Sequence, residues 1–128
     1  MSDLNSTHNR AVWFDIPVAD LDRAAAFYGG VLGIKVEKVQ GEHGSFCVLQ
    51  HDAGNGGCLV HNAHEVSPNR GILLYMNVEG RMREAVARVT PLGGKVLEPA
   101  HAIGPYGFRS VVLDSEGNRI ALHSTVDA

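Results

Sequence analysis

The chain has 128 residues, 45% of them hydrophobic and 20% charged, with a net charge of −3. That fits one globular domain over 1–128 and, without a basic run, argues against nucleic acid and anionic membrane as partners. No apolar stretch reaches the roughly eighteen residues that cross a bilayer, and the polar opening "MSDLNSTHNR" lacks the apolar core of a signal peptide. A cytoplasmic location is the expectation. Cys47 and Cys58 are too few for a disulfide framework and fit a reduced chain. A single bridge between them stays open, because both fall on neighbouring predicted strands.

In chain order, "AVWFDIPV" places Val12, Phe14, Ile16 and Val18 on one face of a strand. Asp20 is positioned to cap a helix, with Asp22 in the first turn where the dipole favours negative charge. Leu21, Ala24, Ala25, Tyr28, Val31 and Leu32 follow at helical spacing, and Gly33 is a suitable stop. Three strands are predicted near 34–39, 45–50 and 57–61, separated by "GEHG" and "HDAGNGG" turns. A strand over 71–78 and a helix from about 80 to 90 follow, the helix ended by Pro91 and the Gly93–Gly94 pair. Strands near 94–98, 108–113 and 118–123 complete the chain.

The second half repeats the first. Sixty positions apart, Asn9, Arg10, Val18, Arg23, Ala25, Leu32, Gly33, Lys35 and Val36 recur as Asn69, Arg70, Val78, Arg83, Ala85, Leu92, Gly93, Lys95 and Val96. Farther on, Gly44, Val48, Gly54 and Asn55 recur as Gly107, Val111, Gly117 and Asn118. The buried helix positions Met82, Ala85, Val86 and Val89 match better with the helices slipped by one residue. Matched terminators and strand order make this a duplication rather than a coincidence of amphipathic segments. The predicted class is α+β, two tandem βαβββ modules over about 9–62 and 69–124. Each half alone would bury too little surface to be more than marginal.

A tandem of this kind, with "VADLDRAAAFYGGVLGIKV" early and "DSEGNRIALHS" late, resembles the vicinal oxygen chelate superfamily of glyoxalases, bleomycin-resistance proteins and dioxygenases. The resemblance implies cupped mixed sheets whose paired modules enclose a ligand cavity, and a homodimer. It implies nothing specific about the reaction, because a fold hosts many functions. Strand alternation then puts Trp13, Asp15 and Pro17, Leu73, Tyr75 and Asn77, and Arg119, Ala121 and His123 on the cup face, with Cys58 and Val60 beside them. A one-residue error in any strand would invert its assignment.

Glyoxalase-like relatives chelate a divalent metal with four His or Glu side chains. Residue by residue, the resemblance puts those positions on Trp13, Cys58, Leu73 and Ala121, of which only the cysteine carries a donor. No metal site and no cofactor are therefore expected. A displaced site from Asp15, Cys58 and His123 is weighed against Asp15 bonding Arg119 or Tyr75, with Cys58 as a small buried hydrophobe. His8, His43, His51, His61, His64 and His101 read as strand-end or loop residues.

A roomier, more apolar cup suits an organic ligand. Trp13 and Tyr75 would stack on it while Asp15, Asn77 and His123 orient it, or the aromatics would fill a core or dimer seam. The loop 102–110, "AIGPYGFRS", is a candidate lid that brings Tyr106 and Arg109 over the cavity, or else an ordinary hairpin connection. The expected ligand set is Trp13, Asp15, Cys58, Tyr75, Asn77, Tyr106, Arg109 and His123, with no catalytic residue assigned. The reading preferred is a glyoxalase/bleomycin-resistance-like protein that binds a small organic molecule without the family's metal. The alternatives are a metal-dependent lyase, isomerase or dioxygenase related to lactoylglutathione lyase, with a divalent metal, and an assembly module with a vestigial cavity.

Overall fold

The computed structural model describes residues 8–128; the polar opening segment through residue 7, read above as no signal peptide, lies outside the described residues. The elements run β1 (Asp15–Val18), α1 (Leu21–Leu32), β2 (Val36–Gly41), β3 (Gly44–Leu49) and β4 (Cys58–His61), then β5 (Leu74–Asn77), α2 (Met82–Val89), β6 (Lys95–Ala102), β7 (Phe108–Leu113) and β8 (Arg119–Ser124). They form two four-stranded sheets ordered β1-β4-β3-β2 and β5-β8-β7-β6, so the same connectivity occurs twice. The duplication extends to register. Asp15 pairs with Cys58 in parallel β1 and β4, and its repeat mate Tyr75 pairs with Ala121 in parallel β5 and β8.

The start of α1 follows its local signals. Asp20 is extended at φ −136° and accepts from the Arg23 amide at 3.0 Å, and Gly33 closes the helix at φ 66°. The latter conformation is one that an L side chain resists. Three strands differ from expectation: β5 covers only Leu74–Asn77 of the predicted 71–78, and β1 and β6 also shift. β1 begins only at Asp15, where its pairing with β4 starts at Cys58, and the Phe14 carbonyl just ahead of it accepts from the Cys58 amide. β6 runs on to Ala102 with two register shifts around Glu98, where Pro99 has no N–H to offer the ladder.

One apolar core joins the two modules. Ile16, Val18, Cys47, Leu49 and Leu59 supply it from the first sheet, Met76, Val112, Ile120 and Leu122 from the second, with both helices between them. Phe27 belongs to this core and is fully buried, three residues after Ala24 and four before Val31 on the same helical stripe, a position the predicted face left out. α1 is covered on a second side by the other module, where a Cβ on Gly94 would come within 2.7 Å of the Phe27 ring and 2.9 Å of Val89. Cys47 faces this core while Cys58 is on the opposite face of its sheet, and both thiols are free. The bridge left open by the sequence is therefore not made.

A buried polar network locks the modules together. Asp114, 2% exposed, accepts from the Tyr28 hydroxyl at 2.6 Å, from the amides of Glu116 and Asn118 at 2.8 Å, and from the Asn118 side chain at 2.9 Å. Asn118 Nδ2 also donates to the Pro17 carbonyl at 2.7 Å, reaching the edge of β1. Glu116 accepts from the Ala19 and Asp20 amides ahead of α1 and from Arg23 at 2.7 Å. Burial pushes the Glu116 carboxyl upward, but the hydrogen bonds from Arg23, Ser115 and the two amides outweigh it and hold the group at about 2.

Because that value lies below the ordinary 4.5, the contribution of Glu116 is complete above about pH 4.5 and is lost as pH falls toward 2. Glu116→Gln is expected to cost about 1–3 kcal/mol at pH 7. In urea melts the gap between wild type and variant should shrink steadily below pH 4.5. A gap that is independent of pH down to 2 contradicts the assignment. Tyr28→Phe, which strips one donor from buried Asp114, should cost a similar amount without changing the urea m-value.

Candidate functional site

The concave face of the first sheet forms an open cleft of about 750 Å³. Alternation along the strands builds its wall: Asp15 from β1, Cys58 and Val60 from β4, and Phe46 from β3 point away from the helix, while Ile16, Leu59 and Cys47 point into the core. Trp13 precedes β1 on the same side and stands edge-on to His51, with ring centroids 5.7 Å apart. The rim is the β2–β3 hairpin, whose tip residues Glu42 and His43 are bracketed by Gly41 and Gly44. Gly44 sits at φ 116°, which favours glycine at that corner.

Inside the cleft, Cys58 Sγ donates to Asp15 Oδ1 at 3.1 Å. Burial, followed by this contact with Asp15, pushes the thiol up to about 11. Cys58 is thus a protonated donor that orients a carboxylate, not a nucleophile. The bond that the sequence allowed from Asp15 to Arg119 or Tyr75 is replaced by this one.

The second sheet carries a separate polar group. Arg109 Nη1 donates to the Tyr75 hydroxyl at 2.8 Å, and its Nη2 lies 3.8 Å from Glu98 Oε1. His123 Nε2 meets the Tyr106 carbonyl at 2.7 Å, and the His123 and Tyr75 rings are 6.4 Å apart. Asn77 Oδ1 accepts from the Glu79 amide at 2.8 Å, which shapes the turn leading to α2.

The expected ligand set therefore divides. Trp13, Asp15 and Cys58 line the first cleft. Tyr75, Arg109, His123 and the Tyr106 backbone form the second cluster, and Asn77 is engaged by its turn. Asp15 and Cys58 are not joined by His123, which is not among the residues lining the cleft. Among the described residues no three His, Cys, Asp or Glu side chains come together as a metal would require. Segment 102–110 is a hairpin connection closed by Ile103 N–H to the Gly107 carbonyl, and Arg109 is a β7 residue. Tyr106 is 75% exposed, and its backbone carbonyl is the atom that meets His123.

The sequence reading missed the rim. Glu42 and His43 read as a solvated turn, and His61 as a strand end, yet all three line the cleft with Leu21 and Ser45. The signal available was the short "GEHG" turn itself, whose two-residue length forces a tight hairpin and projects its tip.

Comparison with known proteins agrees with this architecture. Residues 10–49 match the profile of the bleomycin resistance protein-like N-terminal family. A glyoxalase/bleomycin resistance protein/dioxygenase family enzyme from Burkholderia phytofirmans PsJN superposes with a TM-score of 0.69 at 16% identity, over 88% of this chain and 96% of that one. This is the vicinal oxygen chelate fold. Among other solved structures with the same fold, the fosfomycin resistance protein FosX from Listeria monocytogenes gives a TM-score of 0.67 at 15% identity, covering 91% of this chain and 93% of its own. TnmS3, an antibiotic binding protein from Streptomyces sp. CB03234, gives 0.65 at 23% identity, covering 94% and 98%. No curated protein matches the sequence. At these identities the likeness is one of fold, and the fold hosts resistance proteins, enzymes and binders alike.

The positions on which the resemblance places the relatives' four chelating side chains carry at most one donor suited to a divalent ion. Leu73 and Ala121 carry no donor atom and the indole of Trp13 only donates, which leaves the Cys58 thiol as the single candidate ligand among the four. With its pKa raised to about 11, Cys58 should react with iodoacetamide at pH 8 about a hundredfold more slowly than free cysteine. Asp15→Asn should leave Cys58 at least as reactive. Rapid alkylation of native Cys58 near neutral pH would contradict a protonated donor.

Proposed function

We propose that this chain is a binding protein for a small organic molecule, held in the cleft of the first module without the metal site of its glyoxalase-like relatives. The observation that carries the reading is the cleft itself. Its walls are aromatic and aliphatic through Trp13, Leu21, Phe46 and Val60, with Asp15, Cys58 and Ser45 among them and Glu42, His43 and His61 as further polar lining residues. That combination, an apolar concavity of several hundred Å³ with few oriented polar atoms, is what an organic ligand requires. Trp13 and Phe46 supply flat surfaces for stacking, and Asp15, oriented by Cys58, supplies direction.

The absence of turnover belongs to the same proposal. A thiol held near 11 is a poor nucleophile at neutral pH, and the carboxylate beside it serves as its acceptor. The protein works as a cytoplasmic homodimer in this reading. Two free cysteines support a reducing compartment, and two concave sheets with exposed Tyr75 and Tyr106 support a second copy. The antibiotic-binding relative TnmS3, of the same fold, lends support to binding as the task.

The test pairs metal analysis with titration. Purified chain should hold well under one equivalent of any divalent metal after dialysis. Added zinc or manganese should leave its melting temperature unchanged, because no donor set stabilises the folded state by mass action. Trp13, the single tryptophan, should change emission on binding small aromatic compounds, and Trp13→Phe, followed by calorimetry because it lacks that signal, should weaken the binding about tenfold. A tightly held stoichiometric cation, or turnover that depends on one, would overturn the proposal.

A further inference from the structure

One short turn grips the segment that carries Trp13. The "HDAGNGG" stretch joins β3 to β4, and its contacts fall on residues 11–14. Asn55 donates through Nδ2 to the Ala11 carbonyl. Gly57 lets Phe14 close in, since a Cβ there would come within 2.3 Å of the Phe14 ring. The next amide, that of Cys58, donates to the Phe14 carbonyl at 3.0 Å. Between these two anchors the His51 ring stands perpendicular to Trp13, with centroids 5.7 Å apart. Trp13 lies ahead of β1, outside any ladder, so its ring takes its orientation from side-chain neighbours.

His51 is itself held. Its Nδ1 lies 3.0 Å from the Gly54 carbonyl, which can only accept, so Nδ1 carries the proton and a second proton would go to Nε2. Gly56 packs directly on the imidazole, where a Cβ would lie 2.5 Å from the ring. His51 also lines a cavity of about 380 Å³ at the seam between the modules, whereas Trp13 lines the first cleft. The two rings therefore stand between cleft and seam. In the second copy, where Asn118 answers Asn55, the place of His51 is taken by Asp114, the carboxylate of the module lock. The same turn position thus braces the modules in one copy and the cleft wall in the other.

We propose that His51 is a positioning residue of the first cleft, fixing the Trp13 ring at the angle on which a flat ligand stacks. The inference rests on the proposed ligand-binding role and adds what controls it. Because an imidazole changes charge between about pH 5 and 8, the contact also makes this wall responsive to pH. The titratable groups around the pair are Asp52 and Tyr75 on the seam side, and Asp15, Glu42, His43, Cys58 and His61 on the cleft side. His43 and His61, as further imidazoles, serve as controls.

Emission from Trp13 reports on the ring directly, because no other tryptophan is present. In the free chain at pH 8, time-resolved anisotropy should show little fast rotation of Trp13 in wild type and a clear increase in His51→Ala. Steady-state emission should fall between pH 8 and pH 5, as an imidazolium quenches the indole. That fall should vanish in His51→Phe and persist in the His43→Gln, His61→Gln double variant. Calorimetric titration with naphthylmethanol, a neutral flat probe, should show binding about three- to tenfold weaker in His51→Ala, with His51→Phe restoring most of it. Gly56→Ala, which pushes the imidazole without removing it, should reproduce the loss. Thermal melts confirm that each variant folds. An anisotropy decay unchanged in folded His51→Ala would overturn the positioning role and leave the binding role intact. Failure of wild type to bind naphthylmethanol, alongside a changed decay, would overturn the ligand role and leave His51 as the holder of the ring.

Discussion

The structure depends on one buried carboxylate. Asp114 sits at the junction of the two modules and is almost fully enclosed, yet it accepts from a phenol, two amides and a carboxamide. A buried charge is costly unless its acceptor sites are filled, and here the donors come from both halves of the chain. Tyr28 belongs to the helix of the first module, while Asn118 belongs to the turn of the second and reaches across to Pro17. Separating the modules would strand that charge. Burial and then the neighbouring Asp114 push the Tyr28 phenol well above its ordinary value, so it remains a donor.

Glu116 extends the same lock to the surface. It receives the free amides ahead of α1, where the helix dipole welcomes negative charge, and pairs with Arg23. The "DSEGN" turn thus caps a helix nearly a hundred residues away. This explains how two marginal halves become one unit: an apolar core between the helices supplies the driving force, and the polar lock sets their relative position. The concave faces stay open because they lie on the side of each sheet away from that junction.

The two concave faces have diverged in character while keeping the same backbone. The register pair Asp15–Cys58 became Tyr75–Ala121 in the second copy. One face holds a thiol-oriented carboxylate and an aromatic wall; the other holds an arginine engaged by a tyrosine and a histidine engaged by a backbone carbonyl. Duplication preserves what the core demands, because helix-facing side chains are constrained by packing density. The cup-facing set is free of that constraint, so it is there that chemistry has changed.

Much of this architecture is legible in the sequence. The two copies, the Asp20 cap, the Gly33 stop and the division of strand residues into core and cup follow from local rules of period and capping, which act over a few neighbours. Trp13, Asp15 and Cys58 emerge as cup residues by the same alternation. Tertiary structure decided the rest. The segment at Gly94 of the other module is what covers the Phe27 ring, and the helical period of α1 does not name that partner. Glu42 joins the cleft because a hairpin folds its tip over the rim, and His123 stands apart from Asp15 because it belongs to the other sheet. Asp114 becomes a hub because donors from distant segments meet in one dry place. Local propensity is written in adjacent residues, whereas the meeting of distant side chains is fixed only when a shared core brings them together.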